Sequence, residues 1–146
     1  MHLEEPPALL ASARPWVAPI FNFSVAAIFM MRGSCTYLSC RTDGLWQNAG
    51  GKLDPGEVPR DAAQRELFEE TGLLIPLERF RRIGTCAVPE GRYQVHGFVV
   101  HLDEGEVPMH TEPDKARTGW MLFDLGEARR LRTVPRLNDF IDLMVA

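Results

Sequence analysis

Glu66, Glu69 and Glu70 are the residues whose type and spacing ask for chemistry in this chain. On a helix at about 100° per residue, with Glu66 set at 0°, Glu69 falls at about −60° and Glu70 at about +40°, so the three carboxylates share a sector of roughly 100°. A solvated acidic face would lie opposite the apolar stripe. Instead Ala62, Ala63 and Leu67 fall at about −40°, +60° and +100° and flank the acids, which turns the carboxylates toward the body of the protein. Phe68, at about 200°, belongs to neither group. Carboxylates crowded on a partly buried face repel one another and are costly to desolvate unpaired, so a cation belongs among them. Hard oxygen donors suit Mg²⁺, with Mn²⁺ as a substitute, and Mg²⁺ commonly uses few carboxylates, several waters and substrate phosphates. The chemistry indicated is that of a phosphate ester or anhydride. Arg65, four residues before Glu69, is spaced to pair with it and hold its rotamer. The pair Gly50-Gly51 suits a loop where backbone comes close to a ligand.

The element that must carry these acids is a helix over Pro59 to Thr71, stopped by Gly72 and preceded by a loop from Lys52 to Gly56. Upstream, Val25 to Met31 and Thr36 to Arg41 read as two paired strands around a Gly33-Ser34 turn, with Asp43-Gly44 breaking the chain after them. Downstream, Arg79 to Val88 and Tyr93 to Leu102 read as strands joined around Pro89-Glu90-Gly91, and Trp120 to Phe123 as a short one. Leu125 to Leu131 and Arg136 to Val145 read as closing helices. This order predicts an α/β fold, a mixed β-sheet covered by helices on both faces. Residues 1 to 20 carry four prolines; they read as an irregular lead-in with a short helical turn around Ala8 to Ala13, leaving 21 to 146 as the domain.

Composition narrows the class without naming an activity. The 146 residues fit one domain, and 45% hydrophobic with 25% charged residues is ordinary globular usage. A net charge of −4 argues against a broad grip on a nucleic acid polymer but allows a small anionic ligand at a locally cationic site. Cys35, Cys40 and Cys86 are odd in number and form no C-x-x-C pair, so free thiols are expected. The N-terminus has no basic leader, and no apolar run approaches the roughly 20 residues needed to span a bilayer. No membrane partner and a cytoplasmic setting are expected.

The stretch Gly51 to Leu73 matches the Nudix box at every defined position: Gly, five residues, Glu57, seven residues, Arg65-Glu66, an apolar residue, any residue, Glu69-Glu70, any residue, Gly72 and an apolar residue. With seven fixed positions at frequencies of about 5–7%, a chance match is on the order of one in 10⁹ per start position, so the sequence is identified as resembling the Nudix (MutT-like) hydrolase family. The resemblance spans roughly Phe21 to the C-terminus. It implies a Nudix-like α/β/α sandwich and a Mg²⁺-dependent pyrophosphohydrolase cutting a phosphoanhydride in a nucleoside diphosphate linked to another moiety. A small-molecule nucleotide, foremost a nucleoside triphosphate, would be the substrate. ADP-ribose or a nucleotide sugar is the alternative, and a catalytically silent nucleotide-binding sensor an alternative of another class.

In this resemblance Glu66, Glu69, Glu70 and the Gly51 carbonyl would be metal ligands, with Arg65 and Glu57 tying loop to helix. A further carboxylate is expected from a loop before a Trp-Met strand. Glu112 has that placement ahead of Trp120-Met121, with Glu106 and Asp114 as rivals. The general base would be Glu69 or Glu112, with Glu66 a third candidate. Arg41 resembles a basic residue kept near the phosphates, and Asn138 a base-reading Asn. Pro89, sixteen residues after Leu73, resembles a marker of ADP-ribose pyrophosphatases. Gln47-Asn48-Ala49 departs from the family, which often has Pro before the two glycines, so the loop under the base is expected to differ.

Overall fold

A long apolar strand with no polar alternation must be buried on both faces, and the run Val25 to Met31 organises the whole molecule in that way. In the computed structural model, which describes residues 21–145, this run is the centre of β1 (Phe23–Arg32). Its even residues Ala26, Ile28 and Met30 enter one core and its odd residues Ala27, Phe29 and Met31 the other, as the period of two along a strand requires. The short helical turn expected around Ala8 to Ala13, and the lead-in as a whole, lie outside the described residues.

Around β1 stand β2 (Cys35–Cys40), β3 (Trp46–Gln47), β4 (Ala49–Lys52), β5 (Arg81–Val88), β6 (Tyr93–His101) and β7 (Met121–Asp124), in a seven-stranded sheet. The sheet is mixed: β1 and β6 run parallel from Phe23↔Tyr93 to Met31↔His101, and the other pairings are antiparallel. The first core packs under α1 (Pro59–Thr71) through Ala62, Ala63 and Leu67. The second packs under α2 (Leu125–Ala128) and α3 (Leu137–Val145) through Ala128, Leu137, Phe140 and Ile141. Helices therefore cover both faces, the expected α/β/α sandwich.

β1 and β2 pair only beside their turn, at Met31↔Thr36 and Arg32↔Cys35. Beyond it the sheet forks. β4 takes the first half of β1, Val25↔Lys52 to Ile28↔Ala49, while β2 turns away to pair with β3 and β7. β4 carries the start of the box at Gly51, and α1, which carries its carboxylates, packs over β4 and β1.

Several element ends differ from the sequence reading. Arg79 lies in a 3₁₀ turn, Leu77–Arg79, closed by the Arg79 N–H on the Pro76 carbonyl at 3.0 Å, and its guanidinium is drawn to Glu106; the strand starts at Arg81. Trp120 precedes β7, its indole turned back to α1. The helix expected from Leu125 to Leu131 is a single turn opened by an Asp124/Glu127 capping box. Arg136 is left-handed at φ 71° after Pro135, so α3 begins at Leu137. Among the described residues no helix is long and apolar enough to cross a membrane.

Candidate active site

The burial of α1 follows the helical phase. Ala62, Ala63, Leu67 and Thr71 are buried, which centres the inward face at about +60° in the frame used above, closest to Glu70, next to Glu66 and farthest from Glu69. Glu70 and Glu66 accordingly turn inward, whereas the Glu69 side chain is 48% exposed and Phe68 stands on the solvent side. Two of the three box carboxylates, rather than all three, face the body of the protein.

Two glycines let these acids approach the sheet. A Cβ on Gly51 would collide with the Glu66 carboxylate, and one on Gly50 with the Ala26 carbonyl oxygen. The Gly50 N–H donates to Glu70 Oε1 at 3.0 Å. Burial pushes the Glu70 carboxyl up to about 8; the charges of Glu66 and Glu112 add to the rise and the Gly50 N–H opposes it.

Arg65 ties the assembly together. It donates to both Glu57 oxygens at 2.8 and 2.9 Å, to Glu66 at 2.9 Å, to Glu69 at 3.2 Å and to the Lys52 carbonyl at 3.0 Å. The Arg65 bond brings the Glu57 carboxyl down to about 2, and the Glu57 bond in turn holds Arg65 protonated. Pairing with Glu69 is one contact among several. Its larger effect is to lock the Lys52–Glu57 loop against α1.

The remaining wall comes from the irregular segment 103–120. A helix C-terminus leaves carbonyls without intrahelical partners, and this segment satisfies those of α1. Thr111 Oγ1 donates to the Glu69 carbonyl at 2.6 Å, the Trp120 indole to that of Glu70 at 3.3 Å and the Met109 N–H to that of Thr71 at 2.9 Å. Held in this way, the segment delivers His110, Glu112 and Lys115 to a cavity of about 350 Å³ that Glu66, Glu70 and Gly51 also line. Glu112 pairs with Lys115 at 2.8 Å. The rivals lie elsewhere: Glu106 is held by Arg79 at 2.6 Å, and Asp114 is exposed off the cavity wall.

A second cavity of about 300 Å³ opens beside the first, walled largely by apolar side chains such as Val25, Tyr93, Leu137 and Phe140. The two share Arg41, Gln47, Gly50 and Gly51. Arg41, bonded to Asp43 at 2.7 Å, thus borders both. Asn138 and Pro89 line neither cavity: the Asn138 amide donates to the Arg129 carbonyl at 3.3 Å, and Pro89 opens a 3₁₀ turn between β5 and β6. His110, Lys115 and Lys52 were not singled out from the sequence, and Asn48 only within the departure ahead of the glycine pair. Lys52 and Asn48 flank the glycine pair and were reachable by that adjacency, whereas His110 and Lys115 carry no local signal.

No three described His, Cys, Asp or Glu side chains already converge as a closed cage. The donor set nonetheless fits Mg²⁺, which keeps waters and takes substrate oxygens alongside one or two carboxylates. The displaced Glu70 carboxyl, uncomfortable as an anion between Glu66 and Glu112, is the group such a charge would relieve.

The sequence pattern of the NUDIX domain matches residues 14–144, and the chain belongs to that family. It is 37% identical over 65 residues to a CTP pyrophosphohydrolase of Escherichia coli, covering 44% of this chain and 43% of the relative. It is 40% identical over 76 residues to a Myxococcus xanthus octanoyltransferase, covering 49% of this chain and 21% of that one. The chain therefore spans less than half the length of these relatives. The fold is similar to a MutT NUDIX hydrolase of Burkholderia pseudomallei, with a TM-score of 0.72 at 20% identity over 83% of this chain and 96% of that one.

Proposed function

We propose that the chain is a divalent-metal-dependent pyrophosphohydrolase acting on a nucleoside diphosphate linked to a further group, foremost a nucleoside triphosphate. The observation that carries this is the adjacency of an acidic cavity, bearing Glu66, Glu70 and Glu112, to an apolar one through the shared glycine pair. A flat base suits the apolar walls and the phosphates suit the acidic cavity once a cation is present. The CTP pyrophosphohydrolase likeness, though partial, supports a triphosphate over a nucleotide sugar. Pro89, away from both cavities, lends nothing to the ADP-ribose alternative.

Glu66, Glu70 and the Gly51 carbonyl would hold Mg²⁺, or Mn²⁺ in its place, with Glu69 joining from the rim; Glu112, expected from the sequence as ligand or base, is left for the proton. When bound, the ion supplies charge neutralisation for the anhydride oxygens. The protein's own groups do the rest. Glu112 takes the proton from the attacking water: Glu66 and Glu69 are tied to Arg65 and Glu70 to Gly50, whereas among the described residues Glu112 is held only by the exposed Lys115. The water oxygen bonds to a phosphorus of the α–β anhydride, the bridging P–O bond breaks, and its electron pair stays with the departing group, so that nucleoside monophosphate and pyrophosphate separate. Arg41 steers the anionic chain between the cavities. The unpaired cysteines Cys35, Cys40 and Cys86 support a cytoplasmic setting.

A panel of nucleoside triphosphates, nucleotide sugars and ADP-ribose, assayed with Mg²⁺, with Mn²⁺ and with EDTA, tests the proposal. Metal-dependent release of nucleoside monophosphate and pyrophosphate is expected. Full turnover in EDTA would remove the metal, and nucleotide binding without turnover would turn the protein into a sensor.

A further inference from the structure

Part of the wall of the acidic cavity is strand rather than helix or loop. Side chains alternate along β2: Leu38 enters the core under α2 and α3, and Tyr37 the core under α1. Ser39 shares the phase of Tyr37, and Gln47 lies directly across from Ser39 in the β2–β3 pair, so both stand on the face that bears α1. Both line the acidic cavity, with Arg41 beside them. Ser39 is only 3% exposed. Its hydroxyl has no hydrogen-bond partner among the described residues, yet it is not one of the side-chain atoms sealed from solvent without a partner. The little open surface left to this buried residue therefore includes the hydroxyl, and by its phase that surface opens onto the cavity. Gln47 is half-buried, and among the described residues its amide has no partner either.

A hydroxyl aimed into a cavity whose other walls are carboxylates is a donor waiting for an anionic oxygen. A phosphate chain between the two walls would meet the cation on the carboxylate side and these donors on the strand side. Gln47 borders both cavities, where a chain passing from the base toward the acids must cross, whereas Ser39 lines the acidic cavity alone. Resting on the reading of the two cavities given above, we propose that Ser39 is a substrate-binding residue whose hydroxyl donates to a non-bridging oxygen of the phosphates beyond the first, the pair that departs as pyrophosphate. The strand wall thus recognises the length of the phosphate chain and is indifferent to the base. A substrate ending at its first phosphate leaves the Ser39 hydroxyl unpaired, and one that extends further satisfies it.

Binding of pyrophosphate with Mg²⁺, and of GMP, CMP, UMP and AMP, measured by calorimetry on the wild type and on Ser39→Ala, tests the assignment apart from turnover. Ser39→Ala removes one oxygen and keeps the packing, so it should melt with the wild type and leave monophosphate binding unchanged. Pyrophosphate should bind about tenfold more weakly, the effect of one lost hydrogen bond to a charged acceptor. With the preferred triphosphate, KM should rise by about the same factor and kcat should change little, the pattern of a contact made equally in bound substrate and transition state. Unchanged pyrophosphate affinity in Ser39→Ala, equal weakening of pyrophosphate and monophosphates, no pyrophosphate binding by the wild type, or a lowered kcat at constant KM would overturn the proposal. A lower melting temperature with pyrophosphate affinity retained would make Ser39 a structural residue and overturn it equally. The two readings fail separately: Ser39-dependent pyrophosphate binding without turnover of any triphosphate leaves Ser39 its role and removes the pyrophosphohydrolase, and turnover with unchanged pyrophosphate affinity removes Ser39 alone.

Discussion

Replacing Arg65 should show whether the charge network that binds loop to helix acts through Glu57. In the folded protein the Glu57 carboxyl is lowered from 4.5 to about 2, chiefly by its bond to Arg65. A depressed carboxyl means that the unfolded chain binds the extra proton first, so the stabilisation is present above pH 4.5 and is lost as pH falls toward 2. The full displacement corresponds to about 3 kcal/mol. The Arg65 side chain is 29% exposed, and solvent screening reduces the contribution to about 1–2 kcal/mol. Arg65→Ala should therefore destabilise the protein by at least that amount at pH 7, with about half of the Glu57 part already gone at pH 3. Arg65→Lys should recover only part, because one ammonium cannot serve both Glu57 oxygens and the Lys52 carbonyl. Urea unfolding followed through Trp46 and Trp120 fluorescence at pH 7, 5 and 3 measures the difference. A gap between wild type and Arg65→Ala that is unchanged from pH 7 to pH 3 would refute the reasoning.

Glu112→Gln should lower kcat by roughly 10²–10⁴ with KM little changed, and Asp114→Asn should stay within a few-fold of wild type; a larger loss for Asp114→Asn would move the base. Glu106→Gln should lower the melting temperature, since it weakens the Arg79 pair, while leaving kcat near wild type. Glu70→Gln should be at least as stable as the wild type in EDTA at pH 9, above the raised Glu70 value of about 8, where burying a neutral amide costs less than burying the acid's charge. With Mg²⁺ the order should reverse, and a Mg²⁺-induced rise in melting temperature equal in both proteins would show that Glu70 holds no ion. Gly51→Ala should reduce turnover and stability together, because its Cβ meets the Glu66 carboxylate; retention of full kcat would mean that Glu66 need not lie there.

The box was legible because its meaning is local. Helical phase alone ranks Glu70, Glu66 and Glu69 by burial once the buried stripe is centred on Ala63, and the sequence reading erred over Glu69 by treating the three as one sector rather than asking how far each lies from that centre. Gly72 stopped α1 as expected, with φ 76° and its N–H on the Phe68 carbonyl. What depended on tertiary partners was less visible. Arg79 reads as strand until Glu106 claims it, and Arg136 reads as helix until its left-handed backbone brings its guanidinium to the Ala87 carbonyl at 2.8 Å. Glu112 lines the acidic cavity and Glu106 does not, and the cause, a loop fastened to the free carbonyls of α1, is written in residues that show no pattern of their own.

The departure at Gln47-Asn48-Ala49 acquires a physical meaning from the fork. β4 can lie against β1 only because Gly50 and Gly51 present no side chain to the Ala26 carbonyl and the Glu66 carboxylate. With those two positions fixed by close approach, the three residues ahead of them become the nearest place where sequence can change what the apolar cavity sees. Ala49 is spent on the core and Gln47 faces both cavities. Asn48 lines the apolar cavity alone, apart from the acidic site, whose carboxylates come from α1 and from the 103–120 segment. The division of labour follows from the backbone: α1 and the 103–120 segment supply the carboxylates of the acidic cavity, and the short stretch before the glycines borders the apolar one.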